Sequence, residues 1–196
     1  VASDCVECLS ATGEGLDARL LTKACDSKKN FGGYSMGAVR FPEKIASPNG
    51  LKLALFHYTT CYGRGNNYDE FITVESSTAF PKFEGQTQNS SSMAFIKHAG
   101  QNCAEFHTDI CLIGESSFSI CNDIKDSQDV NLGELTSAKS INLDTNSVSK
   151  VVFYDQPHYQ GRAVELTKPI FQMGTNWTLK NFLANGSTRS IKIFRK

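Results

Sequence analysis

The stretch Val151-Val-Phe-Tyr-Asp-Gln-Pro-His-Tyr-Gln-Gly161 decides the fold, together with the strand-like run that follows it and the later run that Ser190 opens. Two runs rich in Val, Phe and Tyr flank a turn that ends in glycine, and such runs are typical of half-buried strands. A unit that recurs along a chain determines its architecture, so repeats of this stretch must be sought before anything else.

The unit recurs three more times. Its glycines are spaced by 48, 51 and 47 residues, and its closing positions by 55, 48 and 50 residues. The glycines are Gly15, Gly63, Gly114 and Gly161, and the closing positions are Gly37, Ser92, Ser140 and Ser190. Because two independent landmarks keep nearly one period, the sequence predicts four copies that fill the chain.

Each copy holds about four short strand candidates split by turn residues, a pattern that predicts an all-β sandwich or barrel. One copy is too short to bury a core alone, so the copies are expected to pair. This gives two domains, at residues 1–97 and 103–196, with a short polar joint at 98–102. Short helical turns are expected only at residues 17–23 and 173–183.

At these residues the chain resembles the βγ-crystallin family. The family's Greek-key signature is an aromatic residue, a second aromatic five later, a glycine seven later and a serine before the last strand. The fourth copy matches it with Tyr154, Tyr159, Gly161 and Ser190, whereas the second has Cys61 in place of the second aromatic. The resemblance implies four Greek keys, two in each β-sandwich domain. It says little about activity, because function lies in sites that folds carry.

Four residues are expected to be critical for this fold. Glycine at the repeated position indicates a backbone φ above zero, which other residues adopt only at a cost. The serine before the last strand is the other repeated position. The residues are Gly63, Gly161, Ser92 and Ser190.

The chain begins at Val1 without a hydrophobic leader, as a secreted protein does after its signal peptide is removed, although a trimmed chain would look the same. Three glycosylation sequons begin at Asn89, Asn176 and Asn185. No apolar run is long enough to cross a membrane. The 20 basic and 20 acidic residues cancel, which argues against nucleic acid as a partner.

The seven cysteines are many for a cytosolic protein and are all disulfide candidates: Cys5, Cys8, Cys25, Cys61, Cys103, Cys111 and Cys121. Two bridges in the first half, one in the second and one thiol left over fit an oxidising compartment. The odd cysteine is either free and buried or bonded to another chain. The alternative is that all seven are reduced core cysteines, as in lens crystallins. A zinc half-site at Cys5 and Cys8 lacks a second ligand pair.

Many relatives bind calcium through Asn/Asp-Asn/Asp-x-x-Ser/Thr-Ser, with ligands shared between paired motifs. Calcium takes about six to eight oxygen ligands, some of them charged. The corresponding windows are residues 32–37, 87–92, 135–140 and 185–190, and none has an acidic pair. The ligand Ser/Thr position holds Ser91, Lys139 and Arg189 in the last three copies. We therefore expect degenerate calcium motifs and no metal site.

No nucleophile elbow, phosphate loop or His-Glu-x-x-His motif occurs, so we expect neither a catalytic residue nor an enzyme. The leading hypothesis is a secreted, non-enzymatic βγ-crystallin-like protein with a structural or interaction role. The alternatives are an extracellular carrier of a small apolar ligand, such as a pigment or lipid, and a defence or carbohydrate-binding protein. No cofactor is expected. An apolar ligand could lie between the domains or at a homo-oligomer interface, and a homo-oligomer or a protein partner stays open.

Overall fold

The structure is a computed structural model that describes residues 5–10, 19–30, 34–41, 51–56, 58–62, 72–74, 77–79, 89–97 and 103–196. The chain divides into two compact units, Val1–His98 and Ala99–Lys196. The prediction of an all-β fold is confirmed, because the regular structure consists of antiparallel strands, short 3-10 turns and a single α-helix within these residues.

Among its described residues, the first unit contains two antiparallel sheets. Its strands are β1 (Val6–Ser10), β2 (Leu20–Ala24), β3 (Tyr34–Arg40), β4 (Leu51–Phe56), β5 (Ile72–Val74), β6 (Thr78–Ala79), β7 (Asn89–Ser90) and β8 (Ser92–Lys97). One sheet has the order β2-β1-β3, with β6 and β7 added to β3, and the other has the order β5-β4-β8. A 3-10 turn at Thr59–Cys61 follows β4.

The second unit also contains two antiparallel sheets. Its elements are β9 (Ala104–His107), β10 (Phe118–Ile120), β11 (Ser140–Leu143), β12 (Val148–Gln156), β13 (Gln160–Leu166), α1 (Trp177–Ala184) and β14 (Ser190–Arg195). The strand orders are β10-β9-β11 and β13-β12-β14. Short 3-10 turns lie at Ile110–Leu112, Gly133–Ser137, Pro157–Tyr159 and Met173–Thr175.

In the second unit, a chain segment that follows a strand of each sheet pairs with a strand of the other sheet. Ile124, which follows β10, bridges to Ile191 in the other sheet, and Ile170, which follows β13, bridges back to Ile141. In each copy the last strand then lies beside the first, which is the Greek-key connection. Lys28 in the first unit makes the corresponding bridge to Met93 of β8.

The core of the second unit lies between its two sheets. Phe106 of β9 and Phe153 of β12 are fully buried, and their rings meet edge to face at a centroid distance of 6.3 Å. Helix α1 adds Leu179, Phe182 and Leu183 to the same core. In the first unit, residues from both sheets likewise share one core. The units are therefore β-sandwiches, in which the apolar faces of the two sheets are turned toward each other.

One expected helical turn is right and the other is wrong. Helix α1 begins where the Asn176 side chain accepts a hydrogen bond from the Leu179 N–H, and it ends before Gly186, whose φ is +65°. Residues 20–23 of the other predicted turn are instead part of strand β2. Pairing with β1 over four residue pairs overrides the local preference there.

Candidate functional site

The closing serines, which are the last residues of three calcium-motif windows, hydrogen-bond to the turns that follow the first strand of their copies. The Ser190 hydroxyl donates to the Gln156 carbonyl at 2.6 Å and accepts from the Tyr159 N–H at 3.0 Å. His158 and Tyr159 have φ values of 59° and 60°, a strained region for residues with side chains. The serine supplies hydrogen bonds that this tight turn cannot make internally.

The same geometry recurs in two other copies. Ser92 donates to the Tyr58 carbonyl and accepts from the Cys61 N–H, at 2.6 and 2.9 Å. Ser140 makes these bonds to Asp109 and Leu112, at 2.6 and 3.1 Å. The copies that the sequence predicts are therefore equivalent at this position. Gly114 and Gly161 have φ values of +74° and +83°, whereas Gly63 lies outside the described residues.

The three positions at which calcium-binding relatives place a ligand are structurally equivalent. The backbone N–H groups of Ser91, Lys139 and Arg189 each donate to a carbonyl within three residues of the end of the first strand of their copy, at 3.0, 2.8 and 2.7 Å. The side chains differ, because two of the three carry a positive charge. The window of the first copy lies largely outside the residues whose side chains are described.

The two windows of the second unit line two adjoining pockets. The first, here called the Arg189 pocket, has a volume of about 300 Å³ and includes Ser127, Thr188 and Arg189 in its lining. The second, the Lys139 pocket, has a volume of about 400 Å³ and includes Lys139 and Lys180. Leu135 lines both, so one substituted ligand position belongs to each pocket.

The lining of these pockets does not suit calcium. Neither lining contains an aspartate or glutamate, and each contains at least one basic side chain. A divalent cation would meet electrostatic repulsion and would find none of the carboxylates that it needs. Within the described residues, no group of three or more His, Cys, Asp or Glu side chains could hold a metal ion.

Each unit has a disulfide at the open end of its first hairpin. Cys5 precedes β1 and bonds to Cys25 after β2, and Cys103 precedes β9 and bonds to Cys121 after β10. The sequence separations are 20 and 18 residues. Closing a loop of this length stabilises a fold by about 3 kcal/mol in the chain-entropy model. Disulfides are thus present, as the cysteine content predicts.

The expectation of two bridges within the first half is wrong, because Cys5 bonds to Cys25 and Cys8 is free. Cys8 is therefore the cysteine left over, and of the two expectations for that cysteine the free and buried state is the one observed. Cys8 is a free thiol that is fully buried in the core of the first unit. Cys5 and Cys8 lie an odd number of positions apart along the strand, so their side chains face opposite sides of the sheet. Cys61 and Cys111 each take part in a disulfide bond as well.

Burial makes the Cys8 thiol chemically inert. It raises the pKa of Cys8 from an ordinary 9.0 to about 12. Because the thiolate is the reactive form, this cysteine is a core residue rather than a nucleophile. Sequence spacing alone offers no signal that distinguishes it from Cys5.

The two described sequons of the second unit cap the same helix. The Asn176 side chain is half-buried and accepts a hydrogen bond as the N-cap of α1. Asn185 is exposed at the C-terminal end of the helix. Asn89 lies in β7, but its side chain is not among those described. None of the helices in the described part of the chain is both long and apolar enough to span a membrane.

The Arg189 pocket contains two residues that the sequence alone did not single out. Thr188 has only 6% of its surface exposed, and its Oγ1 has no hydrogen-bond partner in the described structure. The Ser127 hydroxyl accepts a hydrogen bond from Arg189 Nε at 3.0 Å. Ser127 belongs to the third copy and Arg189 to the fourth, so only the tertiary structure brings them together.

No family model matches the chain, and no curated protein matches it. Among solved structures, it is similar to geodin, a βγ-crystallin from Geodia cydonium, at 12% sequence identity and a TM-score of 0.38, over 97% of this chain and 99% of geodin. It is also similar to protein S complexed with calcium, at 13% identity and a TM-score of 0.33, over 97% of this chain and 99% of that one. The Greek-key signature of the sequence and the strand order of the structure agree, and the chain is βγ-crystallin-like in its fold.

Proposed function

We propose that this chain is a secreted, non-enzymatic βγ-crystallin-like protein with a structural or interaction role. The observation that carries the proposal is the pair of disulfides at matching ends of the first hairpins, Cys5–Cys25 and Cys103–Cys121. Such bonds persist in oxidising compartments and are rare in the cytosol, where thiols are kept reduced. A β-sandwich that disulfides stabilise in this way suits a protein that must stay folded outside the cell.

Thiol alkylation of the protein purified from its source, without reductant, tests this proposal. The native protein should resist iodoacetamide, because its one free thiol among the described cysteines, Cys8, is buried. After denaturation without reductant, only Cys8 should be alkylated, and the other cysteines should react only after reduction. Alkylation of all seven cysteines without reductant would contradict an extracellular role.

Peptide mapping of the same sample tests whether it is a glycoprotein. A glycan is expected on Asn185, because this side chain is exposed at the end of α1. It is not expected on Asn176, whose side-chain oxygen is engaged in capping the helix. Complete absence of glycan from Asn185 would count against passage through the secretory pathway.

A second candidate is an extracellular carrier of a small apolar ligand. The Lys139 pocket favours it, because its volume of about 400 Å³ is in the range of small-molecule sites and Leu135, Met173 and Leu183 lie in its lining. Native mass spectrometry of protein from its source separates the candidates. A carrier should retain a bound mass that disappears on denaturation, whereas a structural protein should show the mass of the chain and its glycans alone.

A further inference from the structure

The Arg189 pocket has an asymmetric lining. Arg189 is the only charged side chain in it. Leu132, Leu135 and Leu183 are buried residues that contribute its apolar part. A site with one cation beside apolar surface favours a ligand that has an anionic head and an apolar tail, since apolar walls strengthen the electrostatic attraction.

The Arg189 side chain is held in place. Its Nε donates to Ser127 Oγ at 3.0 Å, while its backbone carbonyl accepts from the Ser127 N–H at 2.7 Å. The terminal guanidinium nitrogens make no hydrogen bond or ion pair with residues 103–196. A guanidinium fixed at one nitrogen with its terminal nitrogens open matches the geometry of a carboxylate, which it can bind through two parallel hydrogen bonds.

Thr188 provides a second, independent observation. Its hydroxyl is buried beside the pocket and has no acceptor or donor within the described chain, although burying an unpaired hydroxyl costs free energy. Threonine side chains occupy staggered χ1 positions, so a change of χ1 rotamer moves the hydroxyl into the place of the methyl group, while the methyl group takes the place of the Cβ hydrogen. A carboxylate at Arg189 would give the hydroxyl the partner that the fold does not supply.

We propose that the Arg189 pocket binds a small organic carboxylate. The carboxylate lies against the guanidinium of Arg189, the Thr188 hydroxyl donates to one of its oxygens, and a short alkyl chain contacts the leucines. The pocket volume of about 300 Å³ sets the size class of this ligand.

The Lys139 pocket serves as an internal comparison. Lys139 is exposed, and the Lys180 ammonium lies 4.8 Å from the centre of the Trp177 ring. An ammonium is a point charge without the planar fork of arginine, so this pocket is not expected to discriminate in favour of carboxylates. Removing the charge of Lys139 therefore tests whether general electrostatics explains any binding observed.

The experiment is a ligand titration of the full chain at constant ionic strength. Binding is monitored by the amide chemical shifts in two-dimensional NMR spectra. The probes are butyrate, acetate, inorganic phosphate and n-butylamine. Butyrate should shift residues 127, 132–136 and 183–189 and should bind roughly fifteenfold more tightly than acetate, because each of its two extra methylenes adds about fourfold when buried. Phosphate and n-butylamine should bind more weakly than butyrate.

Three variants make the test specific. Arg189→Gln should weaken butyrate binding by about tenfold, as expected for a hydrogen bond to a charged group, and Thr188→Val by about fivefold. Thr188→Val keeps the shape of the side chain and should leave the unfolding midpoint unchanged or raise it, so that a loss of binding is not a loss of fold. Lys139→Gln should leave the butyrate affinity unchanged.

Other results would overturn the proposal. Phosphate that binds as tightly as butyrate would show that the apolar surface has no role. Equal losses of butyrate affinity in Arg189→Gln and Lys139→Gln would show that binding depends only on net charge. An unchanged affinity in Thr188→Val would show that the hydroxyl does not contact the ligand.

Discussion

The Ser190 hydroxyl accepts a hydrogen bond from the backbone N–H of Tyr159, a residue 31 positions earlier, at 3.0 Å. The same hydroxyl donates to the carbonyl of Gln156 and is fully buried. It thus joins the last strand of the fourth copy to a turn whose residues have positive φ. Equivalent serines in the second and third copies make the same pair of bonds, so this contact is the repeated structural element of the fold.

Ser190→Ala should destabilise the protein by about 2 kcal/mol, because it leaves an N–H and a C=O without partners. The denaturant midpoint measures this change. Ser149→Ala is a matched control, since Ser149 is exposed and its hydroxyl donates to the Phe194 carbonyl at 3.0 Å. The control should change stability by less than about 0.5 kcal/mol. Equal effects of the two substitutions would show that the buried serine is not special.

Gly161→Ala should destabilise the protein more than substitution of other glycines. Its φ is +83°, which costs about 1 kcal/mol or more for a residue with a side chain, and a Cβ there would clash with Asp155 Oδ1. Gly114→Ala adds strain without a clash, because nothing lies within 4 Å of its added Cβ. Gly174 has no positive φ and should tolerate alanine best. Equal denaturant midpoints for the Gly161 and Gly174 variants would show that the repeated glycine has no special structural role.

Calcium should not bind tightly to the protein. The two pockets of the second unit lack carboxylates and carry Lys139 and Arg189 at the substituted ligand positions. Isothermal titration calorimetry should detect no micromolar site, and calcium should leave the melting temperature unchanged. The single variant Arg189→Ser should not create a site either, because the missing carboxylates are not restored. A micromolar dissociation constant in the wild-type chain would refute this prediction.

The buried Cys8 thiol should make the protein sensitive to alkaline pH. Burial raises its folded-state pKa from 9.0 to about 12. The unfolded chain therefore ionises first, so the contribution of this thiol is complete below about pH 9 and decreases as the pH rises toward 12. Relative to Cys8→Val, the wild type should lose at most about 1.4 kcal/mol of stability for each pH unit in this range. Parallel stability curves of the two proteins between these pH values would contradict it.

Sequence reasoning predicted those parts of the fold in which every copy needs the same local contacts. Ser92 and Ser190 recur because each copy needs the same hydrogen bonds at its turn. The glycine recurs because this position has a positive φ in both Gly114 and Gly161, a conformation that side chains disfavour. Cys61 of the second copy occupies the position of Tyr159 in the fourth, yet both residues have nearly the same φ. The turn tolerates either side chain because the serine bonds to backbone groups.

The parts that could not be predicted depend on contacts between copies. Cys8 and Cys5 look alike in sequence, and only the packing of the first unit places one in the core and the other at the edge of its hairpin. The strand at Leu20–Ala24 depends on pairing with β1, which local propensity does not reveal. The Arg189 pocket joins Ser127 of one copy to Arg189 of the next, so no single stretch of sequence contains it.

Four copies of one unit should build two like Greek-key domains. An experimental structure of the full chain tests it most directly. We predict that residues 1–97 and 103–196 superpose as the same fold, with the Ser92 and Ser190 hydroxyls at equivalent positions against the Cys61 and Tyr159 N–H groups. Two halves that do not superpose, or a Ser92 hydroxyl without this contact, would contradict the account.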